Sequence, residues 1–154
     1  MKLCHGWRLA CLAALWVPLG PWVEPATAQL LGPEIQVNNY TTGYQVDPAV
    51  AVDGSGNFVV VWYSDGQDGS TYGVFGQRFN SVGSPLGSEF QVNSYTTGGQ
   101  WEPAVAANSS GDFVVVWTGS RPGGLSSDVF AQWFDSAGAP KGGDVQVNSY
   151  TTGS

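Results

Sequence analysis

After residue 28, short apolar runs alternate with clusters of Gly, Pro, Ser and Asn, and no stretch has helical periodicity. Phe58-Val59-Val60-Val61-Trp62 is an unbroken apolar run, which predicts a strand over Asn57–Ser64 buried on both faces. Val74–Phe79 sorts Val74, Gly76 and Arg78 onto one face and Phe75, Gln77 and Phe79 onto the other. Pro48 opens a first strand, Ala49–Val52, because a proline at a strand start forfeits no ladder bond. Glu89–Asn93 points Phe90 and Val92 one way and makes a fourth strand. Asp53-Gly54-Ser55-Gly56 and the Asn80–Ser88 stretch are turns between them.

The pattern then returns. Gln36-Val37-Asn38 reappears at 91 and 146, a step of 55 residues each time, and no gap is needed anywhere. Phe58–Trp62 returns as Phe113–Trp117, and Gly83-x-Pro85-x-Gly87 returns as Gly138-x-Pro140-x-Gly142. The second copy therefore predicts strands at Ala104–Ala107, Asp112–Thr118, Val129–Phe134 and Asp144–Asn148. The expected fold is all-β: two tandem four-stranded antiparallel repeats, β-propeller-blade-like, with the doubly buried second strand explained by blades stacking face to face. A β-sandwich formed by merging both repeats is the alternative, and a β-solenoid is a third. Ile35 aligns with Phe90 and Val145, which predicts a lone fourth strand at Glu34–Asn38. The organisation expected is a leader at 1–28, a leading segment at 29–35, repeats at 36–90 and 91–145, and the opening of a third at 146–154. Propellers close with about four to eight blades, so the expectation is a piece of a longer array.

The leader removes chemistry from the rest. Lys2 and Arg8, the apolar run Leu9–Leu19 and the small-x-small triplet Ala26-Thr27-Ala28 have the layout of a secretory signal peptide cleaved after Ala28. The run is too short for a membrane span, which needs about 20 residues. A secreted or cell-surface chain is expected. Cys4, Cys11 and His5 all fall in the leader, so the chain beyond Ala28 has no disulfide, no thiolate and no imidazole. It keeps three bases (Arg78, Arg121, Lys141) against eleven acids, 3 − 11 = −8. Nothing there would neutralise phosphates, so nucleic acid and anionic membrane surfaces are not expected partners.

The pattern QVN-x-YTTG, PAVA, FVVVW, VF-x-Q-x-F and G-x-P-x-G resembles a tandem repeat of large secreted or cell-surface bacterial proteins. The resemblance runs from Glu34 to Ser154 and implies an extracellular module, with no catalytic or ligand residue to carry over. The chain departs from it in having two full copies, and in replacing Ser64–Ser70 of the first with Gly119–Leu125 in the second.

Chemistry is sparse. A Ser-His-Asp arrangement lacks its imidazole, and Lys141 alone cannot make a Ser-Lys pair. Glycoside hydrolysis asks for two carboxylates at a set separation. The acids fall at turns and recur with the repeat, Asp47 with Glu102 and Glu89 with Asp144, which suits the repeat more than one active site. No catalytic, cofactor or metal residue is therefore assigned. Asp53-Gly54-Ser55-Gly56-Asn57 and the Asp65/Asp68 loop are the places where calcium would sit if anywhere, yet these are also favoured turn residues. Tyr40, Tyr95, Tyr150, Trp62 and Trp117 recur, which assigns them to packing. Tyr44 and Trp101, in the loop before the first strand, have the shape to stack on a sugar. Asn39-Tyr40-Thr41 and Asn108-Ser109-Ser110 match the N-glycosylation triplet. The function expected is a non-enzymatic extracellular repeat module, structural or adhesive, touching a surface protein or glycan and able to self-associate through repeat edges. A carbohydrate-binding module and a part of a propeller enzyme are the alternatives.

Overall fold

The computed structural model describes residues 34–120 and 127–149. The leader with its cleavage site, most of the Gly119–Leu125 loop and the last Tyr-Thr-Thr-Gly lie outside them. Two antiparallel four-stranded sheets form in chain order. Sheet 1 is β1 (Gln45–Val52), β2 (Phe58–Asp65), β3 (Tyr72–Phe79) and β4 (Phe90–Gln91); sheet 2 is β5 (Gln100–Ala107), β6 (Phe113–Gly119), β7 (Asp128–Phe134) and β8 (Val145–Gln146). Each is a simple meander of blade type, the order 1-2-3-4 and 5-6-7-8. Among the described residues no helix is long and apolar enough to cross a membrane.

Three differences from the expected strands bear on the site. The first strands start earlier, at Gln45 and Gln100, because a bulge lets Pro48 and Pro103 sit inside them without breaking the ladder. The fourth strands are two residues long rather than five. Past Gln91 the ladder passes to a side chain: Val92 N–H donates to Val74 O at 2.8 Å, but Val74 N–H donates to Asn93 Oδ1 at 2.7 Å. The same exchange recurs at Val129 and Asn148. Finally, Glu34–Asn38 is not a strand, because no described strand lies beside it to pair with.

The two sheets stack. Ala49, Ala51, Val59, Val61, Tyr63, Val74, Phe90 and Val92 of sheet 1 pack with Val105, Ala107, Phe113, Val115, Trp117, Phe130 and Phe134 of sheet 2. In register, Val59 and Val61 share a face with Ala51 and Ala49, while Phe113, Val115 and Trp117 share one with Phe134, Gln132 and Phe130. The contact is thus heterologous: an aliphatic face of one repeat meets the aromatic face of the next. Phe113 and Phe134 stack at 4.8 Å, and Phe90 tilts against them at 6.2 and 5.4 Å. Fully burying such side chains contributes about 1.5–3 kcal/mol each. The double burial expected of the second strands is met only in part, at Trp62 and Ser64 on the outer face of β2, where Phe58 and Val60 stay half-buried. In β6 burial alternates, because Val114, Val116 and Thr118 face away from sheet 1.

Gly76 shows how tight the seam is. A Cβ there would lie 2.9 Å from Phe90 Cζ and 3.3 Å from Val60 O. The matching residue in sheet 2 is Ala131, and its strand partner is Val145 rather than a phenylalanine. Gly76→Ala should therefore destabilise by about 1–3 kcal/mol in urea unfolding. Adding Phe90→Val should recover part of the loss; a double variant no better than the single one would show that the two residues are not coupled.

Candidate functional site

Most of the carboxylates are committed to the fold. Four hairpin turns share one construction, at Asp53, Asn80, Asn108 and Asp135. Asp53 Oδ1 accepts from Ser55 N–H at 2.8 Å and Asn57 N–H at 2.9 Å, and Gly56 N–H donates to Asp53 O at 3.1 Å. Asn80 Oδ1 accepts from Val82 and Ser84, Asn108 Oδ1 from Ser110 and Asp112, and Asp135 Oδ1 from Ala137 and Ala139, at 2.8–3.1 Å. Each turn ends on a glycine with positive φ, between 81° and 89°. Asparagine and aspartate are interchangeable here, so the Asp53 loop is built on acceptor geometry rather than on charge. Asn57 Nδ2 also donates to Asp53 Oδ2, and that bond, ahead of its other amide partners, holds the Asp53 carboxyl below the usual carboxylate range. Asn108, the second glycosylation triplet's asparagine, spends its side-chain oxygen on this turn.

The other acids follow suit. Glu89 accepts from Asn39 N–H at 2.7 Å and from Gln67 Nε2, and Asp144 accepts from Ser94. Each ties the end of a repeat back to the opening segment of that same repeat. Asp68 Oδ1 caps Ser70 at 3.0 Å. Asp112 takes Lys141 Nζ at 2.6 Å, and this bond lowers its carboxyl. Arg78 crosses the seam to Ala137 O. Among the described residues no group of three or more His, Cys, Asp or Glu could hold a metal.

One acidic pair stands apart. Asp47 and Glu102 lie not in turns but inside β1 and β5, at the bulges between Val46 and Ala49 and between Trp101 and Ala104. They are the only described non-glycine residues with positive φ, 50° and 54°, and each precedes a proline. That backbone costs about 1–3 kcal/mol per residue and bulges re-aim the side chains they carry. Both side chains are exposed. Tyr63, opposite Val46, meets Tyr72 edge-on at 5.3 Å. Burial pushes the Tyr63 phenol up, with the negative charge of Asp47 next and those of Tyr72 and Glu102 behind it. β1 and β5, which carry the two carboxylates, pack against each other, and Tyr63 on β2 and Tyr72 on β3 stand in the same sheet as β1. Thr118, standing where Tyr63 stands in sheet 1, donates to Glu102 Oε2 at 3.3 Å. Trp101 lies within β5 rather than in a loop, its Cε3–Cζ3 edge in the space a Cβ on Gly99 would need, with Thr71 Oγ1 near the same point. Tyr44 is 70 % exposed just before β1. The bulge positions do not stand out in the sequence; Asp-Pro and Glu-Pro inside otherwise β-forming stretches are the available signal.

The arrangement defines tandem antiparallel blade-like repeats with an acidic and aromatic cluster where their first strands meet. No protein-family model matches the chain, and no curated protein matches it. Among solved structures it is similar to the endo-arabinase from Bacteroides thetaiotaomicron, at 14% identity and a TM-score of 0.47, over 68% of this chain and 43% of that one. The chain thus spans less than half the length of that structure.

Two outcomes are expected. Asp53→Asn should melt a little lower at neutral pH, because its Nδ2 cannot accept from Asn57 Nδ2, and by the same amount with and without millimolar calcium, whereas Asp53→Ala, which also loses the acceptor for Ser55 and Asn57 N–H, should melt lower still; a calcium-dependent rise in the wild type that is lost in Asp53→Asn would reverse the assignment. The ultraviolet difference titration between wild type and Tyr63→Phe should place Tyr63 above the ordinary tyrosine value of about 10, and Asp47→Asn should bring it part of the way back. Because the folded value is raised, the neutral phenol's contribution is complete below about pH 10 and is lost as pH rises through the folded value.

Proposed function

We propose that the chain is a non-enzymatic extracellular repeat module that makes structural or adhesive contact with another macromolecule through the Asp47–Glu102 cluster. The observation that carries this is the strained backbone under those two acids, repeated once per repeat, while Asp53, Glu89, Asp112, Asp135 and Asp144 serve turns and junctions. Strain of this kind persists where the surroundings over-determine it, and it clusters at sites that bind or switch. An acidic cluster flanked by Tyr63, Tyr72 and Trp101 suits a basic or hydroxyl-rich surface. The extracellular part rests on the leader pattern of Met1–Ala28. The absence of His and Cys after the leader leaves no imidazole or thiolate nucleophile to the chain itself.

A carbohydrate partner is the second reading, favoured by the half-buried indole of Trp101, whose Cε3–Cζ3 edge fills the space beside Gly99 near Thr71 and which is an aromatic of the kind sugars stack on.

The purified chain should bind members of a panel of immobilised polysaccharides and extracellular-matrix proteins without turning over any of the polysaccharides. The Asp47→Asn/Glu102→Gln double variant should lose about tenfold or more in affinity, roughly 1.4 kcal/mol. Release of reducing ends that vanishes in Asp47→Asn would overturn the non-enzymatic reading. Polysaccharide binding left intact in Trp101→Ala would remove the carbohydrate platform and leave the protein-contact reading standing.

A further inference from the structure

A cleft of about 700 Å³ opens between the leading segment and the outer face of sheet 1, lined by Ile35, Val37, Gln45, Pro48, Val60 and Trp62. Trp62 is buried there, and its Nε1 has no hydrogen-bond partner among the described residues. The seam between the sheets shows what such a space holds. Asn38 Nδ2 donates to Tyr40 O and Gln45 Oε1, as Asn93 Nδ2 donates to Tyr95 O and Gln100 Oε1. Ile35 Cδ1 reaches toward Gly83, as Phe90 lines one hollow with Gly138. The leading segment therefore lies over sheet 1 where β4 lies over sheet 2. Beneath β4 the space is filled by Ala49, Ala51, Val59, Val61 and Val74. Beneath the leading segment it is the cleft.

Sheet 2 carries the matching face, uncovered. Ala104, Ala106, Val114, Val116 and Val129 repeat those five residues one for one, 55 positions on. Around them Trp133 is 46 % and Val147 58 % exposed. We propose that the cleft receives this open face of sheet 2 from a second copy of the chain, with Ile35–Gln36 taking the place of that copy's β8.

The leading segment fits the substitution. Glu34-Ile35-Gln36-Val37-Asn38 differs from Asp144-Val145-Gln146-Val147-Asn148 only by conservative changes at its first two positions. Ile35 is β-branched like Val145, which pairs with Ala131, whereas the phenylalanine of β4 requires Gly76. The displaced β8 is two residues long and exposed, so little is lost on exchange. Asn38 would accept from Val129 N–H of the second copy as Asn93 accepts from Val74. Such an interface is heterologous, so it propagates head to tail or closes into a ring. It does not depend on the function proposed above, and its readout is mass rather than ligand binding.

Sedimentation velocity over a concentration series tests it. The purified chain should sediment heavier than a monomer, with the mass rising with concentration. Ile35→Asp spoils the cleft and Val116→Asp spoils the open face, so each alone should be monomeric. Mixed in equal amounts they should give a 1:1 heterodimer that grows no further, since each retains the half that the other lacks. A wild type that stays monomeric up to roughly 100 µM, a weak-affinity limit, would overturn the proposal. So would an unpaired mixture, or a dimer that Val116→Asp breaks and Ile35→Asp spares, which would mean face-to-face pairing of two sheets 2. If circular dichroism shows Val116→Asp unfolded, Trp133→Glu at the rim of the same face takes its role.

Discussion

The seating of an aliphatic sheet face on an aromatic one governs this molecule. Val59, Val61 and Val74 have no water because Phe113, Val115 and Phe134 cover them, and the reverse is equally true. Neither sheet alone has a second layer, and a lone four-stranded meander leaves its apolar side wet. Because the two faces differ in kind, stacking has a direction. The buried amides depend on that seam as well. Asn93 is 3 % exposed and joins both repeats, accepting from Val74 on one side and donating to Gln100 on the other. Gln77 and Gln132, each 2 % exposed, hold their own turns by donating to Gly87 O and Gly142 O.

The repeat, the four strands of each copy and their all-β class were legible in the sequence, because the apolar pattern has a period that packing reproduces. The boundaries were less so. Proline at 48 and 103 reads as a strand start when only ladder bonds are considered, yet a bulge absorbs it and the strand begins four residues sooner than expected, at Gln45 and Gln100 rather than Ala49 and Ala104. The shortness of β4 and β8 was hidden because a side-chain amide replaces a backbone group, and composition does not reveal such an exchange. Glu34–Asn38 has a strand's sequence, but among the described residues no strand pairs with it, and a strand is a property of pairs.

The site was less legible than the fold. Recurrence is a sign of structural duty, and for Glu89 and Asp144 that matches their bonds. For Asp47 and Glu102 recurrence hid something different: a backbone conformation that no single-residue propensity favours, imposed twice by a bulge before proline. Tyr63 feels both carboxylates only because stacking brings β5 against sheet 1, so the cluster is a product of tertiary contact and has no linear motif.

The four matched turns have a consequence for the ageing of the protein. Asparagine loses its side-chain ammonia slowly in water, and Asn80 and Asn108 each precede a serine. Conversion of either to aspartate would leave a residue already accommodated in the same turn at Asp53 and Asp135, with the same oxygen accepting the same two amide protons. Deamidation that ends in ordinary aspartate would thus add negative charge without loss of the hairpin, whereas the isoaspartate product, with one more methylene in its main chain, would not fit the turn.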